Sequence, residues 1–187
     1  FSFVCNLQFG SHCEAVSHFY SDSFLNSLLV DAVCARDDLS TFCEFINYYG
    51  LIDGLSSNGW TVFAPNNEAF LLEGDFLDTL KDSQISDLLE FHVINGSTIP
   101  RSELKCKSKI DMMNGISTRT WCRNGARYQK GGGNPVGEEP KLIETNIAVC
   151  GGVVHVLDKV MISGNYNDDV IKDADEGVFN SRGLTKI

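Results

Sequence analysis

Several motifs that mark enzymes and metal sites are absent from this sequence. It has no Gly-x-Ser-x-Gly elbow, no His-Glu-x-x-His helix and no Cys-x-x-Cys pair. Its four histidines are scattered, so none has a nucleophile in a recognisable context. The oxygen-bearing side chains of residues 165–169 lack the loop spacing and the distal Glu of a strong calcium site. We therefore expect no catalysis, no cofactor and no metal centre.

Long apolar runs and positive charge are also scarce. No run reaches the roughly 18 residues of a membrane-spanning helix. Asp and Glu outnumber Lys and Arg by 25 to 15, which gives a net charge of −10. A net negative surface repels nucleic acid and anionic membranes, so we expect neither as a partner. The chain begins at Phe1 rather than Met, which suggests a trimmed chain or a removed signal peptide.

What is present fits one globular domain. The chain has 187 residues, of which 43% are hydrophobic and 21% charged. Residues 1–20 form an N-terminal extension without a clear apolar period, and residues 21–163 form the domain. Residues 164–187 are rich in Asp and Glu and are expected to form a polar tail.

Helical spacing dominates the first half of the sequence. Apolar residues recur at helical intervals in 24–33, from Asp37 to Tyr49, and from Ile85 to Val93. Asn66 is placed to cap a further short helix. Helices therefore crowd the N-terminal half, with the buried strand Trp60–Ala64 among them.

The second half favours strands and turns. Asn114-Gly115 and Gly151-Gly152 each separate two apolar segments and predict two-residue hairpin turns. Residues 131–133 are three glycines and predict a flexible loop. His155 and Asp158 are polar groups at an apolar strand and must find hydrogen-bond partners. The whole pattern predicts the α+β class, with antiparallel sheet structure and helices gathered on one side.

Three segments resemble the fasciclin-like domain family. Residues 60–70 (WTVFAPNNEAF) and 146–158 (NIAVCGGVVHVLD) are similar to the two family signatures, and residues 88–96 (LLEFHVING) to its central helix and Tyr-His element. The resemblance covers roughly residues 24–163. It implies a wedge of antiparallel β-sandwich or barrel-like sheets with a cluster of short helices on one side.

The resemblance also implies a function. It indicates a non-catalytic adhesion or interaction module, secreted or at the cell surface, that binds a protein or glycan partner. Phe91 and His92 occupy the Tyr-His element and are the partner-binding candidates, although Phe91 lacks the hydroxyl of the usual Tyr. A single domain makes weak contacts, so adhesion would depend on multivalency.

An alternative is a fixed structural subunit of a larger assembly. Such a subunit would lie in an oxidising organellar lumen, such as the plastid thylakoid, associated with a membrane protein complex that orders both termini. The cysteines from Cys34 to Cys150 resemble a cysteine-rich branch of the family found in unicellular algae. The two interpretations share the fold and differ in compartment.

Seven cysteines without metal-ligand spacing point to an oxidising compartment. Cys34 and Cys43 lie at the facing ends of two short predicted helices, so we pair them. Cys106 and Cys122 flank the Asn114-Gly115 turn as near cross-strand neighbours, so we pair them too, with Cys122–Cys150 as the rival. Cys5 and Cys13 then pair with each other, and Cys150 is the candidate free thiol.

Asn95-Gly96-Ser97 is a glycosylation sequon, and it is the only one in the chain. It follows a predicted helix at a point where the chain turns, so Asn95 should be exposed. Passage through the secretory pathway would therefore place a glycan on Asn95.

Overall fold

The computed structural model describes residues 3–5, 13–15, 32–51, 59–149 and 151–166. The described residues 32–34 are helical and are followed by a 3₁₀ turn at Asp37–Leu39. The helices after this turn are α1 (Ser40–Tyr48), α2 (Asn67–Leu72), α3 (Gly74–Leu77) and α4 (Asp82–Glu90). Its strands are β1 (Phe3–Cys5), β2 (Cys13–Ala15), β3 (Trp60–Pro65), β4 (Val93–Asn95), β5 (Lys109–Asp111), β6 (Ser117–Arg123), β7 (Ala126–Lys130), β8 (Leu142–Val149) and β9 (Gly152–Leu157). The predicted α+β class is confirmed.

Two sheets organise the domain. The central sheet has the order β4-β3-β9-β8, in which β3 and β9 run parallel and the other pairs antiparallel. The second sheet, β5-β6-β7, is antiparallel throughout. A separate ladder pairs β1 with β2. The parallel pair is possible because β3 and β9 are separated by most of the domain, which leaves ample chain for the crossover.

Strand β3 is buried on both faces. Trp60, Val62 and Ala64 pack with the buried residues of the helices, whereas Phe63 packs in a second cluster with residues from the β5–β7 region. A strand that is covered on both faces has consecutive buried residues, whereas a strand with one exposed face alternates buried and exposed residues. The central sheet is therefore the middle layer of the domain, between the helices and the second sheet.

The hairpin turn in the second sheet differs from the sequence prediction. Asn114-Gly115 lies within a five-residue connection, because Asp111 pairs with Ser117. The two-residue turn is Asn124-Gly125, where Arg123 pairs with Ala126 and both turn residues have positive φ. Positive φ at both positions is the requirement of a type I′ turn, which Asn-Gly satisfies at low cost. Strand β7 was not predicted.

The triple-glycine segment is a packed contact, which contradicts its interpretation as a flexible loop. A Cβ on Gly131 would lie 2.0 Å from the carbonyl oxygen of Ile162. The buried side chain of Asn134 accepts from the backbone N–H groups of Gly131 and Ile162 and donates to the carbonyl of Val160. Glycine is required here because two backbones touch.

In the Gly151-Gly152 pair, glycine at position 152 is likewise required by close packing. Val149 pairs with Gly152, so Gly152 belongs to β9 rather than to the turn. A Cβ on Gly152 would lie 2.2 Å from Cδ2 of Trp60. The indole of Trp60 therefore occupies the space that any side chain at this position would need.

The remaining differences between the sequence predictions and the structure concern where helices and strands begin and end. Helix α4 stops at Glu90, and Val93 already belongs to β4, so the helical period of Ile85–Val93 runs past the real helix. The predicted helix of 24–33 lies outside the described residues up to position 31. In the predicted tail, Tyr166 is buried and its hydroxyl donates to Asp87, which ties the chain to α4 at this point.

Candidate functional site

The structure buries both partner-binding candidates of the Tyr-His element. Phe91 has 0% and His92 1% relative exposure. Phe91 packs in the core cluster between the two sheets. Neither side chain reaches a surface that a partner could touch, so the prediction of a contact through these residues is wrong.

His92 instead connects the helical layer to the final core segment. Its Nε2 accepts from the backbone N–H of Met161 at 2.9 Å, which leaves Nδ1 as the protonated nitrogen that donates to the carbonyl of Leu88 at 2.7 Å. Both ring nitrogens are satisfied only in the neutral form. Burial lowers the pKa of His92 to about 4 and so keeps it neutral at physiological pH.

His155 and Asp158 find the partners that the sequence analysis requires. The Nδ1 of His155 accepts from the backbone N–H of Asn146 at 3.2 Å, and Nε2 donates to the carbonyl of Ile99 at 2.9 Å. Burial lowers the pKa of His155. Asp158 accepts from the backbone N–H of Lys141 at 2.7 Å. His155 joins β9 to β8 and to the loop at Ile99, and Asp158 joins the end of β9 to the residue before β8.

The structure contains two of the expected disulfides. Cys34 is joined to Cys43, and Cys106 to Cys122. The rival Cys122–Cys150 pairing is therefore not formed, and Cys150 itself lies outside the described residues. In the β1-β2 ladder the backbone positions of Cys5 and Cys13 lie directly opposite each other, a register that suits their predicted bond.

Asn95 ends β4 at the surface. Residues 95–97, the whole sequon, are exposed. The exposure agrees with what a glycosylation site needs, and the glycan itself remains a prediction.

Positive charge is concentrated in one part of this acidic chain. Residues 101–130 contain eight of the 15 Lys and Arg residues and only two of the 25 Asp and Glu residues. They carry a net charge of +6 within a chain of −10. These residues make up the second sheet and the loop that precedes it.

Most of the charge in the strands themselves lies on one side of the sheet. Thr118, Thr120 and Gln129 are buried on the inner side, where they hydrogen-bond to one another. Because side chains alternate along a strand, the residues between them point away from the core. We call this side the outer face, and it consists of Lys109, Asp111, Ser117, Arg119, Trp121, Arg123, Tyr128 and Lys130.

Three cations form a row across the outer face. Lys109 lies opposite Arg119, and Arg119 lies opposite Lys130. Among the described residues, no salt bridge uses any of the three. Arg119 donates one hydrogen bond, to the carbonyl of Lys107, which leaves most of its N–H groups available.

An aromatic pair follows the row. Trp121 lies opposite Tyr128 and is 43% exposed. The guanidinium of Arg123 stands over the Tyr128 ring, 4.8 Å from its centroid. Arg123 is also 3.7 Å from Glu139, so this cation is partly neutralised.

The outer face was not predicted from the sequence, because the net charge of the whole chain hides a local reversal of sign in residues 101–130. A charge count over windows of about 30 residues would have found the segment. Recognition of the Asn124-Gly125 turn would then have paired β6 with β7.

The described residues hold no cluster of His, Cys, Asp or Glu fit for a metal ion. No helix among them is long and apolar enough to cross a membrane. Nothing in this part of the molecule points to catalysis.

Comparison with a solved structure identifies the class of fold. The chain is similar to a FAS1 domain pair from the insect cell adhesion molecule Fasciclin I, with a TM-score of 0.54 and 19% identity, over 66% of this chain and 45% of that one. At this identity the likeness establishes the fold alone. The fasciclin domain model matches residues 37–163, and the chain belongs to the fasciclin domain family.

Three relatives illustrate the similarity in sequence. Stabilin-2 of Rattus norvegicus is 32% identical over 127 residues, which are 66% of this chain and 8% of the relative. Immunogenic protein MPB70 of Mycobacterium bovis is 31% identical over 60% of this chain and 54% of its own length. Human periostin is 28% identical over 74% of this chain and 16% of its own. The chain therefore spans at most about half of these relatives.

Proposed function

We propose that this chain is a non-catalytic adhesion domain that works outside the cell and binds its partner through the outer face. Membership of the fasciclin family over residues 37–163 is the observation that carries the proposal. The solved structure of the same fold comes from the insect cell adhesion molecule Fasciclin I. Adhesion needs a presented surface rather than a reactive group, which agrees with the chemistry of the described residues.

The disulfides support an extracellular setting. Cys34–Cys43 and Cys106–Cys122 are stable in an oxidising compartment and would be reduced in the cytosol. An exposed sequon at Asn95 would be glycosylated on the same route. An intact-mass measurement on native protein should show the added glycan, and an unmodified Asn95 would count against secretion.

Adhesion is tested by multivalent display. A single domain binds weakly, so beads coated densely with the chain should attach to cells or matrix of the native source while the soluble chain competes poorly. Beads coated with reduced and alkylated chain are the matched control. Equal attachment of both bead types would contradict the proposal.

Localisation is tested separately on intact cells. A membrane-impermeant amine reagent should label the native protein without lysis. Labelling only after an organellar membrane is opened would overturn the proposal and support a structural subunit of a luminal assembly.

A further inference from the structure

We propose that the outer face binds a sulfated polysaccharide. The proposal rests on the function proposed above, because it specifies the partner of the same surface. Three observations support it: the cation row, the aromatic pair beside the row, and the positive charge of this face within an acidic chain.

The cation row has no structural explanation in the described contacts. Like charges directly opposite each other destabilise a sheet. Lys109, Arg119 and Lys130 nevertheless occupy one cross-strand row without an ion pair among the described residues. A solvated face of an acidic protein would more simply carry mixed charge. A ligand that brings negative charge to the row removes the repulsion.

The spacing of the three cations indicates how densely charged the ligand must be. Adjacent strands lie about 4.8 Å apart, so the backbone positions of the three cations fall within about 10 Å. This is the length of roughly two sugar rings. A polymer with one carboxylate for every two sugars offers too few charges to pair with all three cations, whereas a sulfated polymer offers several. The planar fork of Arg119 also suits the oxygens of a sulfate group.

The aromatic pair supplies the second element of sugar recognition. Trp121 is 43% exposed and adjoins Tyr128 across the strands. Large aromatic rings at a surface bury apolar area at little entropic cost, and the C–H face of a sugar ring is such an area. The rings lie beside Arg119 and Lys130, two residues further along β6 and β7, so sugars bound along the row would lie next to them.

The acidic groups beside the face offset the row only in part. Asp111 lies one cross-strand pair away from Lys109 and Arg119, and its carboxylate accepts from the hydroxyl of Ser117. Glu139 lies beside Arg123, and its side chain is only 13% exposed. Glu139 therefore offsets Arg123 first and Lys130 more weakly, and the row of three cations keeps a net positive charge.

A nucleic acid is the competing polyanion. Outside residues 101–130 the chain has 23 acidic and seven basic residues, so most of the molecule repels a long, densely charged strand. A flexible chain of sulfated sugars needs to contact only the small outer face.

Binding is measured by calorimetry on the full chain with three probes. They are heparin, heparin from which the sulfates have been removed, and a single-stranded oligonucleotide matched to heparin in charge. We expect heparin to bind, with affinity that falls as salt rises, and the other two to bind at least about tenfold more weakly.

Variants locate the site. Lys109→Ser/Lys130→Ser should lower heparin affinity about tenfold or more. The matched control, Lys81→Ser/Lys159→Ser, changes the net charge equally at positions off the outer face and should change affinity less than about twofold. Trp121→Ala should weaken binding, and Trp121→Phe should restore part of it because the ring remains. Circular dichroism of each variant checks that it is folded.

Several results would overturn the proposal. They are no heparin binding, equal binding of desulfated heparin, tighter binding of the oligonucleotide, and equal losses in both lysine double variants. If beads attach although the chain does not bind heparin, the sulfated polysaccharide is not the ligand, and the adhesion function is still supported. If the chain binds heparin but beads do not attach, the adhesion function is wrong, and the ligand is still supported.

Discussion

The two sheets of this domain are built from opposite kinds of surface. In the central sheet, β3 is buried on both faces, and its partner β9 is buried along almost its whole length. In the second sheet, one face carries a buried polar cluster and the other carries cations and aromatic rings. We therefore expect the central sheet to determine the fold and the outer face to tolerate changes in its side chains.

The largest effect should come from adding one methyl group to the central sheet. In Gly152→Ala the new Cβ would lie 2.2 Å from Trp60, inside a fully packed layer. We expect the free energy of unfolding to fall by about 3 kcal/mol or more. Chemical denaturation measures it.

Gly74→Ala is the matched control for this substitution. A Cβ at Gly74 meets nothing within 4 Å, and the residue opens helix α3. The change should be neutral or stabilising by up to about 1 kcal/mol. Similar losses in both variants would contradict the distinction between packed and open glycine positions.

Acid should weaken the domain through the buried histidine. The pKa of His92 is about 4 in the folded chain, against about 6.5 when unfolded, so the unfolded state binds the proton first. The contribution of His92 to the free energy of unfolding should be fully present above pH about 6.5. The free energy of unfolding should then fall by on the order of 3 kcal/mol as the pH drops toward about 4. His155, whose pKa is also lowered, adds in the same direction.

NMR titration of the His92 ring tests the cause of this acid effect. The ring should remain neutral well below pH 6 while the domain is folded. A His92 that titrates near its ordinary pKa, with stability unchanged, would show that its two hydrogen bonds do not hold the neutral form.

A smaller effect is expected at the helix that follows β3. The side chain of Asn66 accepts from the backbone N–H of Ala69 at 2.9 Å. Asn66→Ala should cost about 1 kcal/mol because this N–H loses its cap. Asn66→Asp keeps an acceptor at the helix start and should recover most of that stability, which thermal denaturation of the two variants compares. A failure of Asp to recover it would assign the loss to packing instead.

The smallest effect on stability should come from the outer face. Lys109→Ser/Lys130→Ser removes two like charges beside Arg119 and no described ion pair. The free energy of unfolding should change by less than about 0.5 kcal/mol, with a gain at low salt. A large loss would mean that these lysines are structural, and the contrast between the two sheets would fail.

The same contrast explains what could be predicted from the sequence. The strand at Trp60, the cap at Asn66 and the pairing of Cys34 with Cys43 depend on local chemistry, and the structure contains all three. The burial of Phe91 and the packing of Gly131 against Ile162 depend on distant backbone, which no local pattern reveals. The outer face required the register of three strands, and its central turn at Asn124-Gly125 was overlooked.

If the outer face is the binding surface of this domain, a ligand should perturb that face alone. Chemical-shift mapping measures this on isotope-labelled protein titrated with a short sulfated heparin oligosaccharide. We expect shifts to concentrate at Lys109, Arg119, Trp121 and Lys130, with β3, β9 and α1 unchanged. Shifts that cluster on the helical side, or that are spread evenly over the domain, would contradict it.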